Sequence, residues 1–123
     1  MSAVQRPLAI TLGDPAGIGG EIVAKAFRDA PQLTAGCFVV GDLAHMRRAS
    51  VVLAAPGELA LPVALIDAPG DVQQVPPRCI PLLQAGAPAT TCVACGKVDA
   101  AAGRLPPPAP CRSSVVPHAR VRR

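Results

Sequence analysis

The chain has 123 residues, with 12 Lys+Arg against 8 Asp+Glu, 15 Pro, 11 Gly, 5 Cys, 2 Phe and neither Trp nor Tyr. That length allows at most one small domain with a modest core. Residues 1–103 carry 7 basic and 8 acidic groups, whereas residues 104–123 carry 5 Arg and no acid. The basic excess therefore sits in the tail, and the body offers no basic, aromatic-bearing face for a nucleic acid.

Met1 to Ile10 holds Arg6 and Pro7 and runs into a turn, so it lacks the apolar stretch of a secretory signal. No run approaches the roughly 18 apolar residues that cross a bilayer. The expectation is a cytoplasmic protein with no membrane and no nucleic-acid partner. Cys37, Cys79, Cys92, Cys95 and Cys111 are odd in number and irregularly spaced, as reduced thiols are.

Pro7 to Leu12 is a short apolar run ended by Gly13 and reads as a buried strand. After Gly19, Ile22, Val23, Ala26 and Phe27 recur at helical spacing, with Glu21, Lys25, Arg28 and Asp29 opposite. Cys37 to Val40 reads as a second strand. Asp42 is then an N-cap for a helix running to about Leu53, in which Leu43, Met46 and Leu53 share a face. His45, Arg47 and Arg48 fall off that face, which places His45 in solvent. Pro62 to Ile66 is a third strand, closed by the turn-rich Asp67 to Asp71.

Alternating strands and helices predict an α/β fold with a parallel sheet and right-handed crossovers. Beyond Asp71 the prolines at 76, 77, 81 and 88 leave no element that periodicity defines. Gly96 to Gly103 could open an Ala-rich helix. Residues 104–123 combine 5 Pro with 5 Arg and lack any period, which reads as disorder.

The informative segment is Thr11 to Ile22, TLGDPAGIGGEI. Its glycines fit neither the dinucleotide fingerprint nor the P-loop. They do suit a strand-to-helix turn whose backbone comes close to a ligand, with the amides of the helix start attracting anions. A plain βα connection fits the same residues. In that reading Asp14 forms the turn and Glu21 offsets the helix dipole.

Gly13-Asp14-Pro15-Ala16-Gly17-Ile18-Gly19-Gly20-Glu21-Ile22 resembles the N-terminal signature of the 4-hydroxythreonine-4-phosphate dehydrogenase family. That family is itself distantly similar to the isocitrate and isopropylmalate dehydrogenases. Lys25-Ala26, Val39-Val40-Gly41-Asp42 and Gly96-Lys97-Val98-Asp99-Ala100-Ala101-Ala102-Gly103 extend the likeness over residues 6–103. Gly20 stands where the family usually has proline.

The resemblance implies the N-terminal part of a homodimeric α/β enzyme that oxidises a small phosphorylated hydroxy-amino-acid substrate with NAD. It further implies a divalent metal held by three histidines that lie beyond the matched region. This chain has only His45 and His118, and lone histidines do not build such a site. No catalytic residue or metal ligand is therefore assigned, and neither NAD nor metal is expected to bind tightly. Gly13, Asp14, Gly17, Ile18 and Gly19 form the expected ligand-proximal turn.

The expected division is residues 1–103 as the family-like part and 104–123 as an unrelated tail. A frameshift in a GC-rich gene would produce that change of composition, so a truncated, inactive family member is expected. Reading the other two nucleotide frames past codon 103 tests this. Two alternatives come from other classes: a small basic-tailed interaction protein, and a redox or metal module built on Cys92 and Cys95.

Overall fold

The computed structural model describes residues 6–88 and Gly96. Four strands, β1 (Leu8–Thr11), β2 (Cys37–Gly41), β3 (Val63–Ile66) and β4 (Ile80–Gln84), form one sheet in the order β1-β2-β4-β3. Every pairing is parallel. Helices α1 (Gly19–Asp29) and α2 (Leu43–Leu53) make the first two crossovers, and the 3-10 helix Pro69–Gln74 makes the third. The expected α/β parallel sheet is present. The Cys92 and Cys95 pair, the Gly96 to Gly103 helix beyond its first residue and the tail lie outside the described residues.

Strand order decides which face each connection covers. The chain steps from β1 to β2 and past β4 to β3 in one direction, so right-handed crossovers put α1 and α2 on the same face. The step back from β3 to β4 puts the 3-10 helix on the other. The packing agrees. Val23, Ala24, Phe27 and Met46 from the helices close over Val39, Ile80 and Leu82, while Val72 covers Phe38, Val40 and Ile66.

β4 is the element that periodicity did not reveal, and it lies at the centre of the sheet. Pro81 is compatible with that position because of where its missing donor falls. N–H groups alternate sides along a strand, and the N–H of Ile80 reaches Pro62 O on the β3 side at 2.9 Å. Pro81 therefore lacks a donor on the β2 side, where pairing begins only at Leu82.

Two further expectations are corrected. The first strand is an edge strand and not a buried one: Leu8 is 63% exposed and burial starts at Leu12. On α1 the buried stripe is Gly20, Val23, Ala24 and Phe27, the i, i+3, i+4, i+7 row, and Ile22 points outward at 59% exposure.

The helices run side by side and are tied at their far ends. The Arg28 guanidinium donates to Leu53 O at 2.8 Å and to Asp29 Oδ1 at 2.7 Å. It thereby satisfies a terminal carbonyl of α2 that has no partner within that helix. Among the described residues no helix is long and apolar enough to cross a membrane.

Candidate functional site

The signature turn leaves the carboxyl end of β1, where open parallel sheets receive their ligands. Leu12 extends the ladder by donating its N–H to Val40 O. Gly13 then takes φ +72°, a left-handed conformation in which a side chain is strained. Asp14 folds the next residues: its Oδ1 accepts from Ala16 N at 2.9 Å and its carbonyl accepts from Gly17 N at 3.0 Å. This is the local turn chemistry of an Asx residue.

Gly19 opens α1 directly against the strand that precedes it. A Cβ there would collide with the carbonyl oxygen of Leu12, so only glycine lets the helix start this close. Ile18 occupies the N-cap and supplies no side-chain hydrogen bond. The N-cap position therefore supplies no side-chain acceptor to α1, and the positive end of the helix faces the turn.

Gly13, Asp14, Gly17, Ile18 and Gly19 stand together in this one turn. Gly13, Asp14 and Ile18 are exposed, while Gly17 and Gly19 are half-buried. Gly96, the first residue of the last family-like segment, meets the same turn, its N–H donating to Ala16 O at 2.8 Å.

A second corner adjoins it at the end of β2. Asp42 caps α2 as expected, its Oδ1 accepting from His45 N at 3.0 Å. Its Oδ2 accepts from Gln84 Nε2 at 3.2 Å, and Gln84 Oε1 accepts from Leu43 N at 2.9 Å. One side chain from β4 thus holds both the cap and the first turn of α2. Sequence reading missed Gln84 because the strand that carries it was not recognised.

His45 is not in solvent. It is 6% exposed, and its Nε2 is buried without a hydrogen-bond partner against Gly20. A Cβ at Gly20 would lie 2.8 Å from that nitrogen and 2.9 Å from Ala49 Cβ. The imidazole therefore uses space that only glycine leaves open. Burial, with the Arg48 charge, pushes the His45 pKa below its ordinary value. A signal for this packing was available: Gly20 and Ala24 on α1, with Ala49 on α2, are small residues at spacings that let helices approach closely.

The residues present do not fit a three-histidine metal centre. His45 is committed to the helix interface, and among the described residues no three His, Cys, Asp or Glu side chains cluster as metal ligands. The described thiols Cys37 and Cys79 are free and line a cavity of about 230 Å³ together with Phe27, Thr34 and Val75. This cavity adjoins the amino-terminal ends of β2 and β4, away from the turn.

No protein-family model matches the chain. Individual proteins do. The chain is 34% identical over 105 residues to the 4-hydroxythreonine-4-phosphate dehydrogenase of Trichlorobacter lovleyi, covering 84% of this chain and 30% of that one. It is 36% identical over 69 residues to the D-threonate 4-phosphate dehydrogenase of Pectobacterium atrosepticum, covering 56% and 20%. The crystal structure of 4-hydroxythreonine-4-phosphate dehydrogenase from Klebsiella pneumoniae matches the fold with a TM-score of 0.64 at 29% identity, again over 84% and 30% of the two chains. In sequence and in sheet the chain matches part of the 4-hydroxythreonine-4-phosphate dehydrogenases, and it spans 30% of the length of the Trichlorobacter relative.

Proposed function

We propose that these 123 residues supply the ligand-facing βα corner of an NAD-dependent dehydrogenase acting on a phosphorylated hydroxy acid, and that they do not complete the reaction unaided. The observation that carries this reading is the position of Gly13, Asp14, Gly17, Ile18 and Gly19 at the carboxyl end of β1, ahead of a helix start with no side-chain cap. Such a corner accommodates the anionic part of a ligand through backbone amides.

Hydride transfer to NAD and polarisation of the substrate hydroxyl by a divalent metal are what the family resemblance implies for the whole enzyme. The sequence holds 2 His, too few for a three-histidine metal site, so no step is routed through a metal here. The two substrates named for the relatives are 4-hydroxythreonine 4-phosphate and D-threonate 4-phosphate. They share a phosphate and a hydroxy-acid chain, which is the substrate class of this reading. Homodimeric assembly and a cytoplasmic setting belong to the same reading.

Titration of the 15N-labelled chain with NAD tests the corner. The expected result is weak, millimolar-range perturbation concentrated on the amides of Gly13 to Gly19. Perturbation spread evenly over the surface, or confined to the opposite end of the sheet, contradicts it.

A further inference from the structure

We infer that His45 is a pH-sensitive latch: its neutral imidazole, seated on Gly20, holds the first turn of α1 against α2, and protonation releases that turn. The inference stands on the packing between α1 and α2 and does not depend on the proposed function.

The geometry sets the protonation state. Arg48 Nη2 lies 3.3 Å from His45 Nδ1. A guanidinium can only donate, so Nδ1 is the acceptor and carries no proton. The ring proton is therefore on Nε2, which is buried against the Gly20 backbone without a hydrogen-bond partner. A second proton has to go to Nδ1. It would turn the part-buried contact with Arg48 into two donors and two positive charges facing each other.

Four charged groups surround the ring. Arg48 on the same helix and burial itself oppose protonation, while Glu21 on α1, Asp42 at the cap and Asp14 in the turn favour it. Opposition prevails, and the group's pKa lies below the ordinary 6.5. The charged ring is accommodated by leaving its seat, which removes the support under Gly20 and the glycines just before it.

The test is an NMR pH titration of the full chain that follows the His45 ring nitrogens and the backbone amides together. The expected results are the Nε2–H tautomer at pH 8 and a His45 midpoint below 6.5. The Gly19 and Gly20 amides should shift with that same midpoint. In His45→Gln the pH dependence of those two amides disappears, and in Arg48→Gln the midpoint rises. Where His45→Gln fails to fold, the tautomer and the shared midpoint in the unaltered chain still decide. An Nδ1–H tautomer overturns the inference. So does a midpoint at or above 6.5, or amides of Gly19 and Gly20 that stay still while His45 titrates.

Discussion

The backbone N–H of Gly96 donates to the carbonyl of Ala16 at 2.8 Å, so the last family-like segment begins in contact with the signature turn. Gly96 holds φ +75°, and a Cβ on it would meet open space. Replacing it with alanine therefore changes conformational strain alone. Gly96→Ala is expected to cost about 1–2 kcal/mol, seen as a lower urea midpoint with an unchanged slope.

Asp42 and Gln84 lock the ends of β2 and β4 to the first turn of α2. Asp42→Ala removes the cap and is expected to cost about 1 kcal/mol. Gln84→Leu leaves Leu43 N–H without its side-chain acceptor and is expected to cost about 1–2 kcal/mol. Because the two side chains share one network, the double variant should lose less than the two single losses combined. Additive losses in a denaturation series would show that the network is not coupled.

Gly20 and Gly70 respond to alanine in opposite ways. At Gly20 the new methyl would meet His45 Nε2 and Ala49 Cβ within 3 Å, an overpacked contact expected to cost about 1–3 kcal/mol. At Gly70 nothing lies within 4 Å and φ is ordinary. Gly70→Ala is therefore expected to gain about 0.4–1 kcal/mol by restricting the unfolded chain. Thermal melts of the two variants check both signs.

Acid should weaken the fold through His45. Its pKa is lower in the folded chain than the 6.5 of the free group, so the unfolded chain binds more protons between those two values. Stability is then full above pH 6.5 and falls as pH drops from there towards the folded pKa. Urea midpoints measured between pH 8 and pH 5 are expected to decline on the acid side, and His45→Gln is expected to flatten that decline.

Local chemistry made much of this fold legible. Gly13, Asp14 and Gly19 mark a turn whose geometry is set within a few residues, and Asp42 names its own helix start. The family likeness of the turn rests on the same short-range residues. β4 was not legible because its place depends on pairing with β2 and β3, while its local signal, Pro76, Pro77 and Pro81, argues against a strand. His45 was misread for a related reason. A polar residue off the apolar stripe looks solvated, and only the absent side chain of Gly20, on another helix, makes room to bury it.

The most direct measurement is turnover by the purified 123-residue chain supplied with NAD, a divalent cation and 4-hydroxythreonine 4-phosphate or D-threonate 4-phosphate. The account predicts no NADH above the background without protein for either substrate. Sustained NADH formation that scales with chain concentration would contradict it, because the metal and substrate groups would then have to come from residues assigned no such role here.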